Sequence, residues 1–412
     1  MKPRLIISAL GASPPGTMGG NTKITIEMAR CLAGSREVHV IVQEEKLKTF
    51  TSNLPQKHGI HIHTFLPYPG RDMFHPIRST RWFIEHIRPI LKDIKVGKED
   101  FLFGCSDFHI DVLPFYVMQK EFGYRWLPSV FLFVPFVFEN LARGYKFPAV
   151  KYIIYWFYQR FLFAVMKSRA TGFVVTNESD FHYFPKRFDN KLFAYYGGVN
   201  TEQIPLHSSE HKKYDIVYCS RLHPQKGLDA FLDVWKEIVQ KRPESKFAVI
   251  GNSVDHYDEY LKSKAERLGI SGTIDWLGYV NNEAKFKIYA QSKLLAHTTV
   301  FDNNGMVAAE ALCTGLPVVM QDIPALKNVY TAGCVKVPFG DKKAFADSIL
   351  ALISDPEKLS AVAPTPKQLA ELRGHWKWEA RAKEFDHWLD GIPSTTTSAQ
   401  SPEKILGQGH EY

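Results

Sequence analysis

Two clusters of charged residues, each placed where an apolar run ends, carry the chemistry that this sequence spells out. The first is Ser220-Arg221-Leu222-His223-Pro224-Gln225-Lys226-Gly227, which follows the apolar residues 216–219. Arg221 and Lys226 put two fixed cations in a loop that leads into a helix beginning near Gly227. A diphosphate finds both positive charge and free backbone N–H donors in such a place. The second is Asp302-Asn303-Asn304-Gly305, which continues through Met306 to Glu310-Ala311-Leu312-Cys313-Thr314-Gly315-Leu316-Pro317. Asp302 and Glu310 stand at the two ends of a glycine-containing strand-to-helix turn. Carboxylates there can accept hydrogen bonds from ribose or hexose hydroxyls, while the N–H groups after Gly305 face a phosphate. Arg221, Lys226, Asp302, Asn304, Gly305, Met306 and Glu310 together predict a pocket for a sugar nucleotide.

The elements that must position these residues follow from hydrophobic periodicity. Short apolar runs alternate with amphipathic segments, the pattern of an α/β protein with parallel sheets. Strands are predicted at 5–10, 38–42, 60–65, 101–104, 130–134, 172–176 and 191–195. The alternation then restarts with strands at 214–219, 247–251, 273–277, 294–297, 317–320 and 335–337, separated by helices such as 228–240. A helix opening near Thr22 buries Ile24, Met28, Cys31 and Leu32 on one face. A chain of 412 residues exceeds what one core usually supports. Two repeats of one architecture are therefore expected in tandem, residues 1–200 and 214–373, with a polar hinge at 201–213 that follows Gly197-Gly198-Val199-Asn200. Open α/β sheets bind ligands at the C-terminal ends of their strands, so the site belongs in the cleft between the two. Trp376, Trp378, Phe385, Trp388 and Leu389 form an apolar stripe on a final helix, 374–390, that is expected to reach back to the first domain. Residues 391–412 read as a disordered tail.

Charge is unevenly divided: residues 1–200 hold 26 Lys and Arg against 16 Asp and Glu, and residues 201–412 hold 25 against 27. A basic first half suits an anionic membrane surface or phosphorylated acceptor. Nucleic acid is not expected as a partner, since no zinc knuckle, RNA-binding signature or basic helical array appears. The aromatic-rich stretch 124–163 is interrupted by Glu139, Arg143, Lys146, Lys151, Arg160 and other polar residues before it reaches the roughly 18–20 residues needed to cross a bilayer. An amphipathic surface of this kind suits the headgroup region instead. Cys31, Cys105, Cys219, Cys313 and Cys334 are odd in number and mostly set in apolar runs, as reduced core thiols of a cytoplasmic protein would be. The apolar residues 5–10 are too few for a signal-peptide core.

The spacing Ser-Arg-x-x-x-x-Lys-Gly after a strand, an acid eight positions before Glu310, the run Glu-Ala-Leu-x-x-Gly-x-Pro-Val-Val and the terminal tryptophan-bearing helix resemble family 4 retaining glycosyltransferases of the GT-B fold. The resemblance is specific over residues 195–390 and extends to the Gly19-Gly20 turn. It implies two Rossmann-like parallel-sheet domains facing across a cleft, the second binding a nucleoside diphosphate sugar and the first a glycan or lipid-linked acceptor. It further implies that Arg221 and Lys226 hold the diphosphate, Glu310 the ribose, Asp302 the donor-sugar hydroxyls and Gly20 the inner face of the donor pocket. Transfer leaves a diphosphate with growing negative charge, which two cations and helix N-termini can stabilise in place of a divalent metal. No metal or other cofactor is expected, and no Asp-x-Asp pair occurs. Retention of anomeric configuration, with the leaving phosphate taking the acceptor proton, is implied by the resemblance alone.

Two positions depart from the family. Asp302 stands where the family usually has Glu, and residues 130–136 offer only Phe, Leu, Val and Pro where a first-domain His usually touches the donor sugar. His109 is the candidate replacement. Two alternatives stay open: a nucleotide-sugar 2-epimerase on the same architecture, which needs acid/base residues next to C2 of the sugar, and a non-catalytic membrane-associated nucleotide-sugar-binding protein. A dinucleotide oxidoreductase does not, because Gly11-Ala12-Ser13-Pro14-Pro15-Gly16 lacks the G-x-G-x-x-G spacing.

Overall fold

A computed structural model of the chain describes residues 2–14, 18–55, 59–70, 76–136, 149–205, 211–253 and 256–393. Residues 206–210 of the expected hinge at 201–213, the charges Glu139, Arg143 and Lys146, and residues 394–412 of the expected tail at 391–412 lie outside the described residues; Gly391 still belongs to the last helix and Ile392 is buried.

Runs that are apolar at nearly every position become strands buried on both faces, as a parallel sheet under helices requires. Strands β1 (Leu5–Ser8), β2 (Val38–Gln43) and β4 (Phe101–Gly104) are buried throughout. They join β3 (Ile60–Phe65) and β5 (Arg125–Leu127) in a parallel sheet of order β3-β2-β1-β4-β5. Helices α1 (Gly20–Leu32), α2 (Glu44–Thr51), α3 (Pro76–Ile94) and α4 (His109–Phe122) make the crossovers. A second, three-stranded parallel sheet holds β6 (Ser129–Val130), β7 (Phe173–Val175) and β8 (Leu192–Ala194), with α5 (Ala149–Arg169) before β7.

The first half thus divides its strands between two sheets, where the sequence implies one. The strand predicted at 130–134 ends at Val130, because side chains take over its backbone partners. Thr176 Oγ1 donates to Phe131 O (2.6 Å), Gln159 Nε2 donates to Leu132 O (2.8 Å) and Val134 N donates to Gln159 Oε1 (3.0 Å).

In the second half, β9 (Tyr214–Cys219), β10 (Phe247–Ile250), β11 (Ile274–Gly278), β12 (Ser292–His297), β13 (Val318–Gln321) and β14 (Cys334–Val337) form one parallel sheet ordered β11-β10-β9-β12-β13-β14. Helix α6 (Leu228–Lys241) follows β9, α7 (Tyr257–Arg267) follows β10, α8 (Asn282–Ala290) follows β11 and α9 (Met306–Cys313) follows β12. Helices α10 (Lys342–Ile353), α11 (Pro356–Val362), α12 (Pro366–Trp376) and α13 (Trp378–Gly391) close the chain.

The expected single final helix is two, broken at Lys377 by an extended backbone (φ −59, ψ 137). The break lets one tryptophan serve each half. Trp376 stacks on Tyr330 at 5.7 Å among second-half residues, while Trp378, Phe385 and Leu389 enter the core beside Ile7 and Phe103. Burying each of those three side chains is worth about 1.5–3 kcal/mol. Ion pairs add a second set of ties: Arg36 holds Asp386 and Asp390, and Arg30 Nη2 lies 2.8 Å from Glu379 Oε1.

No helix among the described residues is long and apolar enough to cross a membrane. The five cysteines are free.

Candidate active site

The six-stranded sheet reverses its strand order beside β9, with β10 and β11 on one side and β12 on the other. Such a reversal opens a crevice at the strand ends, because the flanking loops diverge. Both predicted charge clusters lie there: the β9–α6 loop carries Arg221 and Lys226, and the β12–α9 loop carries Asp302 through Gly305.

The two loops are laced together. Val300 N donates to Gln225 O (2.9 Å), Gln225 Nε2 to Phe301 O (2.9 Å) and Thr298 Oγ1 to Lys226 O (2.7 Å). Gly227 permits this approach with a left-handed backbone (φ +72), since a Cβ there would lie 2.0 Å from Thr298 O.

Lys226 Nζ lies 2.6 Å from Asp302 Oδ2, with both side chains largely buried. Asp302 Oδ1 accepts the N–H groups of Asn304 (3.1 Å) and Gly305 (3.3 Å). Burial pushes the Asp302 carboxyl up, but the Lys226 ammonium, His297 and the Asn304 N–H outweigh it and hold the group well below the usual carboxylate range. Both oxygens are therefore engaged by the protein, and the residue expected to meet sugar hydroxyls fixes a cation and a turn.

His297, at the end of β12, lies beside this pair. Burial pushes it down to about 4, so it is neutral near pH 7, and its Nδ1 has no hydrogen-bond partner among the described residues. The strand predicted at 294–297 ends on His297, whose side chain no motif or spacing in the sequence singles out.

Gly305, just before α9, turns the chain into the helix with φ +56, and a Cβ there would come 2.9 Å from Leu326 Cδ1. Tyr330 Oη donates to Asn304 O (2.7 Å) and Gly305 O (3.0 Å), pinning the turn from below. The first N–H groups of α9 have no intrahelical acceptor and carry the positive end of its dipole. Met306, the first residue of α9, reaches the interdomain junction, where a Cβ on Gly197 would meet its Sδ at 3.0 Å.

Glu310 sits in the second turn of α9 and pairs through Oε1 with Lys285 Nζ of α8 at 2.7 Å. Burial would lower Lys285, but Glu310 and Cys219 raise it above the ordinary lysine value. Lys285 gave no signal in the sequence, because it lies 25 residues from its partner.

The remaining predicted residues are placed differently. Arg221 is exposed, with no ion pair or side-chain hydrogen bond among the described residues. Gly20 opens α1, and a Cβ there would meet nothing within 4 Å. His109 is buried at the start of α4, with Nε2 3.2 Å from Ser79 Oγ of α3 and its ring 6.1 Å from Tyr158 of α5. Those partners belong to the helical layer, and among the described residues no contact joins His109 to Lys226 or Asp302.

Residues 199–368, which include both charged loops, match the family model for glycosyl transferases group 1. A D-inositol 3-phosphate glycosyltransferase of Corynebacterium urealyticum is 27% identical over 187 residues, 43% of this chain and 43% of that protein. The chain matches 39–52% of the length of the first curated relatives. Over nearly the whole chain, sucrose-phosphate synthase from Thermosynechococcus elongatus superposes with a TM-score of 0.74 at 14% identity, covering 95% of this chain and 99% of that one. Anabaena Alr3699/HepE, solved with UDP and glucose, superposes at 0.70 with 15% identity, covering 94% and 100%. The fold is the two-domain α/β fold of GT-B glycosyltransferases.

Proposed function

We propose that this protein is a retaining glycosyltransferase that moves a hexose-type sugar from a nucleoside diphosphate sugar to a glycan or lipid-linked acceptor in polysaccharide or glycoconjugate synthesis. The observation that carries the reading is the Lys226–Asp302 pair beside the α9 N-terminus, at the strand-order reversal of a group 1 region.

In this reading Asp302 holds the Lys226 ammonium towards the diphosphate, and the α9 N–H groups share its charge. Preorganised donors of this kind act most strongly where charge develops in the transition state. Arg221, exposed at the mouth of the crevice loop, closes onto the phosphates when donor enters. Glu310 accepts the ribose hydroxyls through the carboxylate oxygen that Lys285 leaves free, and Asn304, Gly305, Met306 and Gly20 shape the donor pocket. No divalent metal is needed, since the protein supplies the positive charge. The leaving phosphate takes the acceptor proton on the same face, so no protein base is assigned.

The assay is release of free nucleoside diphosphate from a panel of nucleotide sugars, with and without a membrane extract as acceptor source. Release that requires acceptor and persists in EDTA is expected. Donor epimerised without acceptor would identify a 2-epimerase, and silence would identify a binding protein.

The same reading puts the first domain on an anionic, cytoplasmic membrane face. Ile154, Phe157 and Phe161 form an exposed stripe along α5 (63%, 60% and 60% exposed), within a half that carries excess positive charge. Co-sedimentation with phosphatidylglycerol vesicles but not phosphatidylcholine vesicles, lost in a Phe157→Ser/Phe161→Ser variant, is the expected result.

A further inference from the structure

The turn that carries Asp302 is gripped from the other domain. Asn303 Nδ2 donates to Asp180 Oδ2 at 2.6 Å and to Phe131 O at 3.2 Å. Asn177 Nδ2 donates in return to Asn303 O at 2.7 Å and to Ala325 O at 2.7 Å. Asn177, Asp180 and Asn303 are all buried.

The direction of these bonds is fixed by chemistry. Asn177 Oδ1 accepts the N–H of Ser179 at 2.8 Å and caps the short turn Glu178–Tyr183, so its amide NH2 must face the second half. Asp180 lies on that same turn, and Phe131 is the first residue past β6. Three groups at the cleft edge of the first domain therefore converge on one side chain and two carbonyls of the second. Buried polar groups cost about 1–3 kcal/mol each when unpaired. Opening the cleft returns all of them to water, so the bonds form only in the closed arrangement.

Asn303 lies between Asp302, which holds Lys226, and Asn304, whose N–H holds Asp302. Tyr330 pins the turn from within its own domain, and the Asn177–Asp180 pair pins it from the facing one.

We propose that Asn303 is a positioning residue: held by Asn177 and Asp180, it sets the Asp302–Gly305 turn, and through Asp302 the Lys226 ammonium, in place only while the two domains are closed. The acceptor domain would thereby license the donor site. The catalytic consequence rests on the transferase reading above, whereas the closure itself does not.

The test uses full-length Asn303→Ala, Asp180→Ala and Asp180→Asn, the last keeping an oxygen that can accept the Asn303 amide. Domain separation is read by small-angle scattering, and nucleotide binding by calorimetry with UDP as probe. Asn303→Ala and Asp180→Ala are expected to expand the molecule, and Asp180→Asn to leave it compact.

With an active donor and acceptor pair, both alanine variants should lose about 10- to 100-fold in kcat, as expected for a displaced reacting group, with the UDP dissociation constant within about threefold of wild type. Asp180→Asn should recover most of that loss. Unchanged scattering in both alanine variants, or kcat of Asn303→Ala within about twofold of wild type, would overturn the proposal. A uniform loss in all three variants would overturn it too, because a merely structural role predicts no rescue. If wild type transfers from no donor, the functional reading fails while the scattering comparison still decides the latch.

Discussion

Lys226 and Asp302 are each other's environment, and that fixes what substitution should do. Removing the ammonium takes away a preorganised charge and leaves a buried carboxylate alone. Lys226→Ala should therefore lower kcat by about 2–4 kcal/mol of transition-state stabilisation, measured as initial rates under saturating donor. Because Asp302 acts by holding Lys226, Asp302→Asn should fall in the same direction, and the double variant should be little worse than Lys226→Ala. Fully additive losses in that cycle would show that Asp302 meets the substrate by itself. Glu310 is a different case, since its partner Lys285 is also buried. Glu310→Ala should weaken UDP binding in calorimetry and, by stranding the Lys285 ammonium, lower stability by about 3 kcal/mol in denaturant unfolding. Lys226 and Glu310 were both legible in the sequence through their spacing around Gly227 and Gly305. Their partners were not, because an ion pair between Lys285 and Glu310 depends on α8 and α9 lying side by side.

At the scale of elements, the interdomain contact makes a pH prediction with a definite sign. Burial holds the Asp180 carboxyl up at about 7 against the opposing pull of the Asn303 amide and of Arg160 of α5, and Tyr196, after β8, is near enough to interact with its charge. An opened cleft returns Asp180 to water and to an ordinary carboxylate value near 4. The closed form therefore binds the extra proton, and raising pH from about 4 to about 7 should shift the molecule towards the open form. Scattering across that range should show expansion in wild type and a flat profile in Asp180→Asn. Strands and helices were read correctly where periodicity was clean, as in β2, β9 and α6. The reading failed at residues 131–134 and at Lys377. In the first place Thr176 and Gln159 replace sheet partners, and in the second a backbone break separates two tryptophans two positions apart.

At the scale of the whole molecule, α13 decides whether the two halves form one unit. Its side chains enter the first core, while α12 stays with the second, so the chain crosses the cleft twice. Phe385 is fully buried among Phe103, Tyr195 and Phe193. Phe385→Ala should cost about 3–5 kcal/mol in thermal or denaturant unfolding, with a larger loss of cooperativity than an equal substitution within either core. Truncation after residue 393, which keeps the Ile392 carbonyl bonded to Arg125 Nη1 at 3.0 Å, should leave unfolding and transfer unchanged.

By itself the sequence determined the alternation of strands and helices, the tandem α/β halves and the two loops that carry charge, because these are local matters of periodicity, turn chemistry and spacing. Tertiary structure alone decided which charges meet. Asp302 turns inward to hold Lys226, Arg221 stays in solvent, His109 goes to the helical layer, and Asn303 is caught by Asn177 and Asp180. Each outcome depends on a strand order or a domain contact that brings distant residues together, and pairing energies of that kind leave no periodic trace along the chain.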